Sequence, residues 1–255
     1  MIKRKNAREI ELMRRAGRIA AAARQLAGSM VTVGATTRSI NKAVHEFILS
    51  KGAVPTFLGY RGFPSSICIS VNEQVIHGIP SQRKLINGDV VSIDIGATKD
   101  GYIGDCAATF IVGSAAAESI KLVEITKQCF FEGLRYARIG NRVSDISRAI
   151  QNHAEKNGFS VVREYVGHGI GSKMHEPPEV PNYIIIPRRQ ADPRLYSGMT
   201  LAIEPMINSG CAEIKVLNDD WTVVTADGMS SAHYENTVLI TQGEPEILTV
   251  CEDMP

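Results

Sequence analysis

Five acidic and imidazole side chains stand where the sequence could bring them together inside the protein: Asp94, Asp105, His168, Glu204 and Glu235. Asp94 lies within an apolar run, Glu204 ends a predicted strand before a proline, and Glu235 opens another predicted strand. Carboxylates that are buried side by side repel each other and lose their hydration. Such a group must therefore share protons or hold a cation.

The segment that carries Asp94 and Asp105 is typical of a β-hairpin, because an Asp-Gly dipeptide at 100–101 separates two apolar runs. If the turn centres between residues 99 and 100, the two aspartates lie directly opposite each other, with Cβ atoms about 5 Å apart. In the alternative, a bulge shifts the register and one aspartate lies in a loop.

His168 lies among glycines in the segment 167–171, where the backbone can turn tightly around the imidazole. The glycine spacing differs from that of a phosphate-binding loop, and no helix is predicted after it. His77 and His175 stand in predicted loops, and each alone is typical of a structural histidine. His233 receives no assignment from its sequence context.

An oxygen-rich site with one imidazole suits Mn, Fe(II), Co or Zn better than it suits a closed thiolate zinc site. Four carboxylates carry four negative charges, which two divalent ions would neutralise. Two such ions can activate water and polarise a carbonyl group. A metal-free aspartate pair is the alternative, but it leaves His168, Glu204 and Glu235 without a role.

Helical periodicity predicts four helices: one after a capping box at Asn6 and Glu9, one after Thr36 that ends at Gly52, one over about 114–136, and one that ends at Gly158. Strands are predicted at 66–71, 90–95, 102–112, 160–166, 200–204, 221–225 and 234–241. Helices and strands come in blocks, which favours an α+β fold. The proline-rich stretch 177–193 is predicted to be a loop.

The second and fourth predicted helices have similar sequences. Gly34, Ile40, Ala43 and Gly52 each recur as the same residue type 106 positions later. This offset indicates an internal repeat, approximately 7–112 and 114–241, within a single domain over 1–255. Chance similarity between two amphipathic helices is the alternative.

Composition excludes several classes of protein. The 28 basic and 27 acidic residues give a net charge of +1, which argues against sequence-specific nucleic-acid binding and against a polybasic membrane anchor. No apolar run reaches the roughly 18 residues of a membrane helix, and no secretory signal is expected. The five cysteines include no C-x-x-C motif, so a reduced, cytoplasmic protein is expected.

The chain resembles the methionine aminopeptidases, in particular their short type I bacterial form. The resemblance covers essentially the whole chain and rests on five motifs in order. They are Ser70 to Pro80, Asp94-Ile95-Gly96 with Gly101-Tyr102 and Asp105, Gly167 to Gly171 with His175 to Pro178, Ile203-Glu204-Pro205, and Trp221 with Tyr234 to Thr237. It implies the pita-bread fold, in which two pseudo-symmetric halves pack helices on a curved antiparallel sheet.

The resemblance also implies roles for individual residues. Two divalent metal ions would be held by Asp94, Asp105, His168, Glu204 and Glu235, with Asp105 and Glu235 bridging. His175 would bind the carbonyl of the scissile peptide bond, His77 would lie near its nitrogen, and Glu204 would move a proton. The methionine side chain would be bound by Tyr60, Phe63, Cys68, Trp221 and His77. Phe57 and Met174 vary among relatives and would affect the shape of this pocket.

The implied function is removal of the initiator methionine from nascent polypeptide N-termini when the second residue is small. A cytoplasmic monomer is expected, with the ribosome as a candidate place of action. Prolidases and aminopeptidase P share the fold and ligands and are an alternative, although they normally carry a large N-terminal domain. A non-catalytic binding module is a further alternative, but such relatives usually lose ligands.

Overall fold

Four α-helices carry the apolar periodicity of the sequence, in a computed structural model that describes residues 2–184 and 192–251. They are α1 (Ala7–Ser29), α2 (Thr37–Ser50), α3 (Ala117–Leu134) and α4 (Val143–Lys156). A short 3₁₀ helix, Tyr60–Gly62, follows the first strand. Among the described residues, no helix combines the length and the apolar character that crossing a bilayer would require.

The helix ends follow local side-chain chemistry. Asn6 begins α1 with the predicted capping box, since its Oδ1 accepts the N–H of Glu9 at 3.0 Å and its own N–H donates to the Glu9 carboxylate at 2.8 Å. The Thr36 hydroxyl accepts a backbone N–H of the first turn of α2. Gly52 and Gly158, with φ of 61° and 87°, lie just beyond α2 and α4. A left-handed residue there stops a helix.

Fifteen strands lie in the described part of the chain, and every strand pair is antiparallel. The strands are β1 (Val54–Pro55), β2 (Cys68–Val71), β3 (Gln74–Ile76), β4 (Val90–Lys99), β5 (Tyr102–Ile111), β6 (Ser160–Val161), β7 (Gly167–Gly169), β8 (Glu176–Val180), β9 (Thr200–Ile203), β10 (Met206–Asn208), β11 (Ile214–Val216), β12 (Val223–Thr225), β13 (Ser231–His233), β14 (Asn236–Leu239) and β15 (Glu246–Ile247). The α+β prediction is confirmed.

Two of the sheets matter most for function. In the first, β4 lies between β1 and β2 and also pairs with β5. In the second, the strand order is β15-β14-β9-β7-β8. Backbone hydrogen bonds between Ala107 of β5 and Glu235, at 3.0 and 3.2 Å, join the two sheets. The junction therefore lies among the candidate ligands.

The hairpin of β4 and β5 carries both aspartates, but its register differs from the prediction. The turn lies at 100–101, where both residues have positive φ (51° and 81°). Asp94 pairs with Ala107, and Asp105 pairs with Gly96. The predicted register, which places the two aspartates directly opposite each other, is therefore wrong by two residues. Because side chains alternate with a period of two, both aspartates still point to one face, as diagonal neighbours.

Each helix pair covers a sheet with its apolar face. Residues of α1 and α2, including Ile40, form one buried cluster with Ile93 of β4. Residues of α3 and α4, including Phe130 and Ile146, form another with Leu201 of β9. Both clusters bury aliphatic side chains between a helix pair and the sheet that it covers. The internal repeat over 7–112 and 114–241, and the single domain over 1–255, stay predictions.

Two predicted segments are corrected. The strand predicted at 160–166 is only two residues long, as β6. The stretch 177–193 is predicted to be a loop, but its first four residues, 177–180, lie in β8. Residues 185–191 of this stretch lie outside the described residues. Proline is tolerated in β8 because this strand forms the edge of its sheet, where a missing N–H breaks no ladder bond.

The contact between α1 and β5 depends on two facing glycines. A Cβ at Gly104 would lie 2.5 Å from the Cα of Gly17. We expect Gly104→Ala to lower the free energy of unfolding by about 1–3 kcal/mol, because backbone must move to admit the methyl group. Chemical denaturation measures the change. Gly243→Ala is the control, since nothing lies within 4 Å there, and an equal loss in both variants would contradict this packing argument.

Candidate metal centre

The five predicted residues lie at the junction of the two sheets. Asp94 and Asp105 come from the β4–β5 hairpin, and His168 is the middle residue of β7. Glu204 directly follows β9, and Glu235 directly precedes β14. One ligand atom from each of Asp105, His168 and Glu235 lies within 4.8 Å of the others. The chain therefore brings together residues from four distant segments.

The imidazole of His168 is oriented by the backbone. Its Nδ1 lies 2.9 Å from the carbonyl oxygen of Gly169, which can only accept a hydrogen bond, so Nδ1 carries the proton. The lone pair of Nε2 therefore faces the acidic residues, 3.4 Å from Glu204 Oε1 and 3.9 Å from Asp105 Oδ2. Metal-binding histidines adopt the same tautomer and likewise donate their other ring N–H to a carbonyl or carboxylate oxygen. Burial lowers the pKa of His168 to about 3.

Burial also makes ionisation of the four carboxyl groups unfavourable. Loss of hydration raises the pKa of Asp94 to about 7, although a hydrogen bond with Asp105 opposes the shift. Loss of hydration, and then the charges of the neighbouring carboxylates, raise the pKa values of Asp105, Glu204 and Glu235 well above the ordinary range. Three of the four groups thus carry the electrostatic cost of their neighbours.

Three buried carboxylate oxygens of this group have no hydrogen-bond partner in the part of the chain that the structure describes: Asp94 Oδ1, Asp105 Oδ1 and Glu235 Oε1. A buried, unpaired acceptor costs about 1–3 kcal/mol, and more when it is charged. A divalent cation removes both this cost and the mutual repulsion. The donor set of carboxylates with one neutral imidazole therefore fits divalent metal ions.

A cavity of about 280 Å³ opens beside the acidic group. One wall is apolar and includes Phe63, Cys68 and Trp221, which the sequence predicted for a pocket. The rings of Phe63 and Trp221 meet edge to face, with centroids 5.0 Å apart. Phe57 and Met174 also line the cavity, and only 7% and 6% of their surfaces are exposed. The arrangement favours an unbranched apolar side chain close to the acidic group.

The two predicted loop histidines line the same cavity. His175 lies over His168, with ring centroids 4.2 Å apart, and its Nδ1 is hydrogen-bonded to the Tyr60 hydroxyl at 2.8 Å. His77 packs edge-on against Trp221, with centroids 6.2 Å apart. Burial, and then the nearby imidazole of His175, lower the pKa of His77 to about 4. Both imidazoles are therefore neutral at physiological pH, since burial also lowers the pKa of His175.

Sequence reasoning missed His233. Its Nε2 is buried without a hydrogen-bond partner and lies 3.9 Å from Glu204 Oε2. One signal could have found it. His233 precedes Glu235 by two residues, and in extended backbone such residues share a face.

Comparison with known proteins relates the whole chain to metallopeptidases. The profile of metallopeptidase family M24 matches residues 11–242. A methionine aminopeptidase of Clostridium acetobutylicum is 50% identical over 253 residues, which cover 99% of this chain and all of that protein.

Solved structures give the same result. The crystal structure of a methionine aminopeptidase from Rickettsia prowazekii superposes with a TM-score of 0.94 at 40% identity, covering 98% of this chain and all of that one. A prolidase from Pyrococcus furiosus superposes with a TM-score of 0.78 at 24% identity, covering 98% of this chain and 66% of that one. The second likeness is one of fold alone. The pita-bread fold is thereby confirmed.

Removing one acid should separate stability from metal binding. We expect Asp105→Asn to raise the melting temperature of the metal-free protein, because it removes a buried acid whose ionisation is opposed by lost hydration and by the neighbouring carboxylates. Saturating Mn²⁺ should stabilise the wild type, by about 2.7 kcal/mol at 100 times Kd. The variant should show little of this shift, and thermal melts with and without Mn²⁺ measure both effects.

Asp89→Asn is the matched control, because Asp89 is equally buried but accepts hydrogen bonds from Ile86 N and Asn72 Nδ2, both at 2.9 Å. This control should melt at a lower temperature and keep the full Mn²⁺ shift. An unchanged Mn²⁺ shift in Asp105→Asn would contradict the metal assignment.

Proposed function

The chain belongs to metallopeptidase family M24, and on that premise we propose that it removes the initiator methionine from polypeptides whose second residue is small. Full-length relatives at 50% and 52% identity bear the name methionine aminopeptidase. Identity at this level over nearly the whole of both chains supports the same reaction here.

One observation carries the proposal. The acidic group opens directly into a cavity of about 280 Å³, whose lining includes the apolar side chains of Phe63, Cys68 and Trp221. A thioether packs well against aromatic edges and a thiol, and it requires no charged partner. A peptide whose first side chain occupies this wall would present its first carbonyl to the acidic group. The cavity therefore supports an exopeptidase that selects methionine.

Membership of a metallopeptidase family implies divalent metal ions. We propose that two such ions would be held by Asp94, Asp105, His168, Glu204 and Glu235. Divalent ions supply Lewis acidity, which activates water and polarises a carbonyl group. Mn, Fe(II), Co and Zn all suit this donor set.

The protein side chains carry out the proton transfer and the orientation of the substrate. Glu204 directly follows β9 beside His168, and only 12% of its side chain is exposed. Its carboxylate would take a proton from water and pass it to the leaving amine. His175, which lies over His168, would donate a hydrogen bond to the scissile carbonyl. His77, which packs against Trp221, would lie near the peptide nitrogen. Both roles suit neutral imidazoles, which keep one N–H donor each.

We also propose a natural substrate, a location and an oligomeric state for the protein. Nascent polypeptide N-termini are the natural substrates of an enzyme that removes initiator methionine. They arise in the cytoplasm, and the ribosome is a candidate place of action. We further propose that the protein acts as a monomer.

A panel of short peptides tests the proposed function. We expect the Mn²⁺-loaded protein to cleave Met-Ala-Ser and Met-Gly-Ser, to spare Met-Lys-Ser, and to lose activity with a chelator. Replacing the first residue with alanine forfeits about 2 kcal/mol of apolar burial, so kcat/KM should fall about thirtyfold. Equal cleavage of Ala-Pro would favour an X-Pro peptidase, and no cleavage of any peptide would favour a binding module.

The role of Glu204 has its own test. Glu204→Gln keeps the shape of the side chain but removes the base, so kcat should fall by about 10²–10⁴-fold. Thermal melts should show that the variant still folds. Glu179→Gln is the control, since this exposed carboxylate lies across the strand pair from His168. Full activity of Glu204→Gln would eliminate the proposed proton transfer.

A further inference from the structure

Lys5 is a buried lysine next to the N-cap of α1. Its Nζ lies 2.8 Å from Glu176 Oε2, and only 4% and 5% of the two side chains are exposed. Burying two charges costs hydration that good geometry must offset, so such a pair is weak evidence for a gain in stability alone. Neither residue takes part in the proposed chemistry. The ion pair therefore calls for another role.

The lysine end of the pair is fixed by the backbone. The capping box at Asn6 sets the direction in which the chain enters α1. The N–H of Lys5 donates to the carbonyl of Gly198 at 2.6 Å. A Cβ at Gly198 would lie 2.9 Å from the carbonyl oxygen of Lys5, and Gly198 has a φ of 88°. The backbone of Lys5 is thus held by the capping box that follows it and by the hydrogen bond to Gly198.

The glutamate end lies next to the cavity. Glu176 follows His175 directly and is the first residue of β8, where it pairs with Gly169 beside His168. Its Oε1 also accepts the N–H of Lys173 at 3.2 Å. The segment between β7 and β8, residues 170–175, has no regular secondary structure. Glu176 therefore closes the loop that carries His175.

Gly171 shows how tightly the loop fits around the ion pair. A Cβ there would lie 2.6 Å from Lys5 Cε and 2.7 Å from Glu176 Oε1. The carbonyl of Gly171 accepts the N–H of Ile103 at 2.9 Å, two residues before Asp105 on β5. At Gly171 the loop therefore packs against the lysine side chain and is also hydrogen-bonded to the ligand-bearing hairpin.

We infer that Lys5 is a positioning residue, whose ion pair with Glu176 fixes the loop 170–175 and so places the imidazole of His175 over His168. The contribution to turnover rests on the proposed function, because it requires that His175 contact the substrate. The ordering of the loop does not rest on it.

Hydrogen exchange tests the ordering of the loop in the Mn²⁺-loaded protein. Lys5→Met should speed amide exchange over 171–176 by about tenfold or more, with helices α1–α4 unchanged. Lys3→Met, which alters an exposed lysine of the same segment, is the control. Unchanged exchange over 171–176, or equal acceleration throughout the chain, would overturn the inference.

A double variant addresses the chance that Lys5→Met fails to fold because Glu176 is left unpaired. Lys5→Met/Glu176→Gln removes both charges, and such replacements are often neutral for stability. It should melt near the wild-type temperature and still exchange rapidly over 171–176. Wild-type exchange in this variant would show that the ion pair does not order the loop.

A kinetic double-mutant cycle tests the link to His175. Lys5→Met should lower kcat for Met-Ala-Ser by about tenfold with KM nearly unchanged, because a small misplacement of an orienting group slows the reaction strongly. In a His175→Ala background the same change should have almost no further effect. Equal losses in both backgrounds would assign Lys5 a structural role only. Inactivity of the wild type would refute the proposed function, while the exchange experiment would still decide on the ion pair.

Discussion

Four carboxylates within one buried site impose the constraint on which the rest of the structure depends. Each of them loses hydration, and the unpaired oxygens of Asp94, Asp105 and Glu235 find no donor among the described residues. A cation that shares the site lowers this cost, since its attraction opposes both repulsion and desolvation. The fold must therefore keep the acids together before an ion binds, at the expense of stability in the metal-free state.

The scaffold meets this constraint with backbone hydrogen bonds. Ala107 and Glu235 exchange two of them, and the Thr237 hydroxyl both accepts the N–H of Asp105 and donates to its carbonyl. These bonds connect β5 to the start of β14 without using a carboxylate oxygen. Ligands on strands hold their geometry better than ligands on loops. His77 and His175, which line the cavity, lie outside the strands, where adjustment costs less.

The sequence predicted the parts of the fold that depend on local chemistry. The capping box at Asn6 and the apolar periodicity of the helices located α1–α4 to within a few residues, because both signals lie within one turn or one face. Strand registers and short strands were not predicted correctly. The two-residue shift between Asp94 and Asp105 depends on where the turn closes. Strands of two or three residues are too short to show a periodicity. The importance of His233 and Lys5 was missed for another reason. Their importance arises from partners far away in sequence.

Buried acids of this chain fall into two groups, and the contrast separates structural from functional burial. Asp89 accepts two hydrogen bonds and lies 3.5 Å from Arg83, while Glu176 is paired with Lys5. Glu235, by contrast, has a buried oxygen with no partner and carboxylates as neighbours. A structural acid recovers its lost hydration from the protein, whereas an acid that does not must recover it from something the protein binds. The same criterion explains why Lys5–Glu176 lies beside the centre and not in it. An ion pair whose charges cancel can hold a loop, but it leaves no net negative charge to attract a metal ion.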